Sequence, residues 1–551
     1  MPLAALAVGM PVAAQADAGA YVRARAAAAA GAVDAAAAGY GAVLAAAPDD
    51  AVVAIRAYRN ALASGDLLLA RRAAAVLKRA DVAPMDVAIL DLADALRSGN
   101  RVAADDALGR LGAGPLDFVA PVVRAWLAQG RGGDPFAILD NAREGGLGRR
   151  YFAEHRALLL IASGRSEDGV AALRTATGID TGDGELRTTA AMLLAAKGER
   201  KAARELLGED AGKLRKIKPD AAFGAGRLFT RLAGDLSTQQ AESLVIALTR
   251  AALTLDPGND GARLLLADAL KSDGAFGSAL AALAAIRPGS DAYPAAQAER
   301  IKLIQARGER GTALDVAAAL AGRTGAAPSD RQLYADMLVE AGRDSEAARI
   351  YADLLAQTGE AASWADHLQL GGALERSGQW AQALPHLRRA VELGPDQPIA
   401  LNYLGYAMVD RGENIAQARQ LLERASQLRP DDPSITDSLG WAYFRAGEYA
   451  RALPLLERAA QGNPASPTIN EHLGDAYWTA GRRFEARYAW RAAAIYAEGE
   501  QQARIAGKLA DGLRGDAPSL RKENVGRWTG GRETRRSAAR AGGHDQRMAA
   551  N

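Results

Sequence analysis

Between Trp364 and Ala497 the chain repeats itself about every 34 residues, with small and large apolar side chains returning at the same offsets. Aligned on glycine, the segment from 467 reads Leu473, Gly474, Tyr477, Gly481, Ala486, Trp490, Ala493. The one from 433 reads Leu439, Gly440, Tyr443, Gly447, Ala452, Leu456, Ala459, Pro464. The segment from 398 gives Leu404, Gly405, Met408, Gly412, Ala418, Leu422, Ala425, Pro430, with one extra residue before Ala418. From 364 come Leu370, Gly371, Leu374, Gly378, Ala383, Leu387, Ala390 and Pro395. Two runs of helical apolar spacing around one glycine make a helix-turn-helix, here helix A and helix B.

Each offset has a physical task. Gly378, Gly412, Gly447 and Gly481 stand at the turn, where a residue free to take positive φ ends helix A cheaply. Gly371, Gly405, Gly440 and Gly474, with Ala383, Ala418, Ala452 and Ala486, let two helix backbones approach. Enlarging one overpacks the crossing by roughly 1–3 kcal/mol. Pro395, Pro430 and Pro464 close each unit, where a missing N–H stops helix B.

This set of offsets resembles the tetratricopeptide repeat family. The usual Trp early in helix A is absent, with His367, Leu401, Thr436 and Asn470 in its place. The resemblance implies an all-α fold, an α-α superhelical solenoid of helix-turn-helix repeats. It also implies that helix A lines the concave face. Carried onto this sequence, the family's face positions select Asn402, Tyr406, Val409 and Asp410, then Asp437, Trp441, Phe444 and Arg445, then Glu471, Asp475 and Trp478. The result is an aromatic groove with acidic members. The Lys, Asn and Arg set of family members that clamp a C-terminal carboxylate is not reproduced. One reading makes Tyr406, Trp441, Phe444 and Trp478 rigid anchors for a protein or peptide partner, with Asp437, Glu471 and Asp475 favouring basic groups. The other packs these rings between successive A helices or against the chain's own C-terminal helix.

The frame extends backwards with fading signatures. Copies start near 328, 294 and 260, and Gly198, Gly164, Gly130, Gly99, Gly65 and Gly31 continue a similar spacing through an Ala-rich region. Residues 17–210 are therefore expected to be degenerate helical repeats and 260–363 divergent ones, with well-formed repeats at 364–497. Residues 211–259 break the phase, with a basic stretch (Lys213, Arg215, Lys216, Lys218) and then an uninterrupted helical pattern from Leu236 to Leu255. Residues 211–259 are therefore expected to form an irregular helical segment, with a solvated linker as the simplest reading of its role. Residues 498–513 are expected to cap the last repeat through Ile505, Leu509 and Leu513, because a solenoid end must cover its open apolar face. Together these segments read as one long solenoid.

Charge and composition narrow the function. The net charge is +2, but the segment 514–551 carries nine Lys and Arg against four Asp and Glu, so the body is slightly acidic. That gives no reason to expect nucleic acid across the body. The tail is poor in apolar residues and reads as disordered, with attachment to anionic lipid or nucleic acid as its alternative use. Cysteine is absent, which excludes disulfides and thiolate chemistry. Five histidines have no metal-ligand spacing, and no nucleophile, phosphate-loop or dinucleotide pattern occurs. No cofactor, metal or catalytic residue is expected. Residues 1–16 are small and apolar and end in Ala14-Gln15-Ala16, which fits a secretory cleavage site without a basic leader. The expectation is a non-enzymatic protein-binding scaffold of the periplasm, supporting cell-envelope assembly, as in the exported bacterial members it resembles. A cytoplasmic regulatory or assembly factor of the same fold is the alternative. No segment reaches the ~18 unbroken apolar residues of a membrane span.

Overall fold

The computed structural model describes residues 18–142, 148–177, 184–207 and 214–513. The candidate cleavage site and the basic tail lie outside the described residues. Among those described, all regular structure is helical and no strand occurs. No helix is long and apolar enough to cross a membrane. The chain divides into two compact units, residues 1–309 and 310–551.

In the first unit consecutive helices pair across short turns. Asp50 caps the helix Ala51–Ser64 by accepting from Val52 and Val53, and Gly65 ends it in the left-handed region. Asn100 does the same for Arg101–Gly112, accepting from Ala103. These caps satisfy orphan N–H groups at each helix start. Gly31, Gly65, Gly99, Gly164 and Gly198 all take positive φ, as turn residues should. Gly130 does not. It stays right-handed at φ −66°, and the reversal comes at Gly132 with φ 73°. Two extra residues before the short helix Pro135–Asp140 move the turn along the chain.

Residues 221–255 are helical but packed, and not a solvated linker. Helices Ala221–Leu236 and Glu242–Leu255 form a hairpin, interrupted at 237–241 where a single helix was expected. Phe229, Leu228, Ala247, Leu248 and Ala251 are fully buried. The hairpin packs on helices Ala51–Ser64, Asp86–Ser98 and Val119–Gln129. At Gly224 a Cβ would lie 2.4 Å from the Trp126 ring, so glycine is needed for this approach. Arg250 donates to the carbonyls of Leu62 and Ala63 at 2.9 Å each, neutralising the C-terminal end of that helix. The physical cause is apolar content on most sides of both helices, which a linker cannot leave in water. A Cβ at Gly31 would also strike the carbonyl oxygen of Gly274 at 2.4 Å. The unit thus wraps around its own hairpin, and its first turn meets the turn at Gly274.

The second unit holds four regular repeats. Helices A and B are Trp364–Arg376 and Trp380–Leu393 in the first, Pro398–Arg411 and Ile415–Leu428 in the second. They are Pro433–Arg445 and Tyr449–Gly462 in the third, Pro467–Thr479 and Arg483–Tyr496 in the fourth. The four turn glycines have φ between 69° and 80°. The glycines inside helix A are pressed by helix B: a Cβ would lie 2.8 Å from Leu387 at Gly371, 2.7 Å from Leu422 at Gly405 and 2.3 Å from Trp490 at Gly474. Pro395, Pro430 and Pro464 fall just past the ends of helix B, while Pro398, Pro433 and Pro467 start the next helix A, where their missing N–H costs nothing. A last helix, Gly499–Asp511, follows the fourth repeat, with Ile505 fully buried beside Trp490 and Ala493.

Candidate functional site

The face positions all lie on A helices. Asn402 and Tyr406 sit on Pro398–Arg411, Asp437, Trp441, Phe444 and Arg445 on Pro433–Arg445, and Glu471, Asp475 and Trp478 on Pro467–Thr479. Spacing of three and four brings each set to one side of its helix.

In the middle of the face the rings of Trp441 and Tyr406 meet His472, with Phe444 stacked behind Trp441. Trp441 stacks on His472 at 4.0 Å and on Phe444 at 4.9 Å, and Tyr406 lies 6.2 Å from the same imidazole. His472 Nδ1 is 2.9 Å from Asp437 Oδ2. Burial would lower the pKa of His472, but the Asp437 carboxylate outweighs it and the imidazole titrates above its ordinary value. The Tyr406 hydroxyl is pushed well up, by burial first and then by Asp410, Asp437 and Glu471. Three buried polar atoms here have no protein partner: Asn402 Oδ1, Asp437 Oδ1 and Trp441 Nε1. Two acceptors and one donor are thus left facing unmet hydrogen-bonding capacity. Arg445 reaches only the Asp410 carbonyl, at 3.5 Å.

At the end of the face the chain supplies its own basic partner. Arg504 donates to both oxygens of Glu471 at 2.8 and 3.0 Å, and Lys508 bonds Glu471 and Asp475 at 2.7 Å each. Asp475 also accepts from Trp490 Nε1 at 2.9 Å. Burial would raise Glu471, yet Arg504 and Lys508 hold it down at about 2. Asp475 is shifted upward, chiefly by burial. Trp478 is covered from two sides: Arg483 lies 3.9 Å over its ring, and a Cβ at Gly512 would overlap it.

The structure therefore divides the face positions. Tyr406, Asp437 and Trp441 meet His472 and Phe444 stacks on Trp441. Asn402 lies one turn before Tyr406 with Val409 and Asp410 after it, Arg445 reaches the Asp410 carbonyl, and Glu471, Asp475 and Trp478 are engaged by the segment 499–512. Sequence reasoning missed His472, Arg504 and Lys508. The signal for the last two was present: Glu471 and Asp475 are spaced i, i+4, and so are Arg504 and Lys508, which lets two helices pair charge for charge. The other histidines among the described residues also serve as packing groups. His155 accepts from Trp126 Nε1 at 2.9 Å in the first unit, and His367 stands 3.1 Å from His386, nitrogen to nitrogen. Among the described residues no group of three or more potential metal ligands occurs.

The tetratricopeptide repeat family profile matches residues 368–433 and 438–503. No curated protein matches the sequence. Among solved structures, a tetratricopeptide repeat protein from Parabacteroides merdae aligns over 45% of this chain and 96% of its own, with 16% identity and a TM-score of 0.40. A thermophilic protein of the same repeat type from Thermus thermophilus aligns over 33% and 100%, with 20% identity and a TM-score of 0.30. PilF of Pseudomonas aeruginosa aligns over 33% and 82%, with 18% identity and a TM-score of 0.29. With the repeat offsets, their turns and the matched segments in agreement, residues 368–503 of the chain are tetratricopeptide repeats.

Proposed function

We propose that the A-helix face around His472 binds a segment of a protein partner, and that the chain is a non-enzymatic scaffold. The observation that carries this reading is the set of unpaired buried atoms, Asn402 Oδ1, Asp437 Oδ1 and Trp441 Nε1, beside a stack of aromatic rings. A buried polar atom without a partner costs about 1–3 kcal/mol, and a polypeptide that enters between the A helices can relieve it with the N–H and C=O groups it carries in every residue. The half-buried rings of Tyr406 and Phe444 supply apolar area for first contact at low entropic cost. Asp437 adds preference for a donor-rich or basic segment. The acidic end at Glu471 and Asp475 is already satisfied, so the entering segment lies toward Asn402 and Tyr406.

Peptides selected from a displayed random library on the purified chain test this. Selected peptides lose binding to Trp441→Ala with Asn402→Ala while far-UV circular dichroism stays near wild type. Undiminished binding by that variant places the peptide site elsewhere and rejects the reading.

The cellular setting of the proposal is the cell envelope, supported by the Ala14-Gln15-Ala16 segment and by resemblance to exported bacterial members of the family. A reporter fused after Ala16 checks it: export supports the envelope role, and retention in the cytoplasm supports the alternative of a cytoplasmic assembly factor.

A further inference from the structure

The repeats act as each other's control, and one of them departs from the pattern on its outer face. Two residues before the buried Ala of helix B, the first three repeats place Ala381, Ala416 and Ala450; the fourth places Phe484. Two residues after it stand Pro385, Gln420 and Pro454; the fourth has Tyr488. Nine residues after it stand Glu392, Gln427 and Gln461; the fourth has Ile495. Phe484, Tyr488 and Ile495 are 72%, 59% and 73% exposed, and Tyr496 beside them is 54% exposed. Their spacing with Arg491, i, i+4, i+7, i+11, runs along one line of the helix Arg483–Tyr496, away from the buried Ala486, Trp490 and Ala493. Packing explains none of these large side chains, since the same positions in the neighbouring repeats do without them.

The charges beside the line are of one sign. Among the described residues Arg483, Arg487 and Arg491 form no ion pair, whereas the neighbouring Arg482 pairs with Glu457 and Glu485. Arg483 and Arg487 lie over the Trp478 ring and Arg491 over Tyr488. Glu485, the one carboxylate within this helix, is taken by Arg482. A second copy of the chain would bring this cationic face against itself. The complementary surface is anionic and apolar together.

We propose that the outer face of helix Arg483–Tyr496 docks on an anionic lipid surface, with Phe484, Tyr488 and Ile495 entering the headgroup boundary and Arg487 and Arg491 meeting phosphates. The side chains project from the outer face of a helix, and a fluid lipid phase accommodates projecting side chains without a preformed groove. Aromatic and aliphatic residues on one face with Arg beside them are the composition of helices that lie in a membrane interface. This surface is on the far side of helix B from the protein-binding face, so the two can be occupied together.

Flotation of the full chain with vesicles of phosphatidylcholine containing a minor fraction of phosphatidylglycerol tests the proposal. The variant Phe484→Ala, Tyr488→Gln, Ile495→Gln gives the fourth repeat the residues of the second at exposed positions. It keeps its helicity and loses about tenfold or more of its vesicle partitioning. Arg487→Glu with Arg491→Glu loses a similar amount, and the loss disappears on pure phosphatidylcholine. The basic segment 514–551 is identical in every protein compared, so it does not contribute to the difference. Equal partitioning of wild type and triple variant overturns the proposal. So does failure of the wild type to float, which leaves the face to an acidic protein, or concentration-dependent self-association abolished by the triple variant, which gives it to a second copy.

Discussion

The two units use the same element, an A helix crossing a B helix at small residues, and finish it differently. In the first unit the A helices Ala51–Ser64, Asp86–Ser98 and Val119–Gln129 are covered by the chain's own hairpin 221–255, with Trp126 against Phe223 and Arg250 on the end of the first helix. In the second, the corresponding face carries Asn402, Asp437 and Trp441, buried between successive A helices, and Tyr406 and Phe444, half-buried, with the helix Gly499–Asp511 added at one end. On the proposed reading, a repeat face binds a partner where no second hairpin of the chain packs on it. The side chains record the difference. The filled face is largely apolar, and Asp86 within it is paired with Arg59 and Tyr58. The other face keeps polar atoms that no residue meets.

The largest expected effect breaks the first unit alone. Trp126→Ala removes a fully buried ring, leaves His155 without its donor, and costs about 3–5 kcal/mol. Hydrogen exchange read by mass spectrometry should quicken over 119–129 and 221–255 and stay unchanged over 364–496. Faster exchange in the second segment would show that the two units do not hold their stability separately.

Next in size is the covered end of the second unit. Lys508→Ala leaves two buried carboxylates short of a cation, and loss of one partner of a buried pair costs about 3 kcal/mol. The helix Gly499–Asp511 should open locally, with faster exchange there and wild-type exchange over 364–445. A fully protected helix in that variant would mean that Ile505 and Trp490 hold it without the charges.

Acid should separate the units. His155 is held at about 3 by burial, below its ordinary 6.5, so its contribution is complete above pH 6.5 and is lost as pH falls toward 3. Glu471 is held at about 2, below 4.5, so its contribution persists down to pH 4.5 and is lost as pH falls through 2. His472 has the opposite sign: its pKa is raised, so its contribution is complete below pH 6.5 and declines as pH rises through the folded value. Between pH 6.5 and 4.5 the first unit weakens while the second keeps its terminal helix. A titration followed by exchange in both units checks the order, and simultaneous loss contradicts it.

A smaller effect comes from the crossing. Gly474→Ala forces a Cβ onto Trp490 and should cost about 1–3 kcal/mol by urea unfolding. Gly481→Ala, at φ 80° with open space around it, should cost about 1 kcal/mol, from backbone strain alone. A larger loss at Gly481 would reverse the assignment of the two glycines.

How much of this was legible in the sequence differs along the chain for a physical reason. In 364–497 the small residues at the crossing and the turn glycine are each demanded by contact or by φ, so their offsets survive and can be read. In the first unit alanine is abundant everywhere, and Gly130 could not be told from Gly132 as the turning residue. The hairpin 221–255 reads as a linker in the sequence because it breaks the period, although Phe223, Phe229, Leu228 and Leu248 are too apolar for solvent. The face positions were found from the repeat register. Their burial was not foreseen, because it depends on A helices meeting each other, as Asp437 meets His472, and on Arg504 and Lys508 arriving from a helix some thirty residues further on.

On the proposed function, partner binding belongs to the second unit's A-helix face around His472 and not to the first unit's face under the hairpin 221–255. Hydrogen exchange of the full chain with and without a library-selected peptide tests it directly. The account predicts new protection over 398–411 and 433–445 and none over 51–64, 86–98 and 119–129. Protection confined to those three helices of the first unit would contradict it.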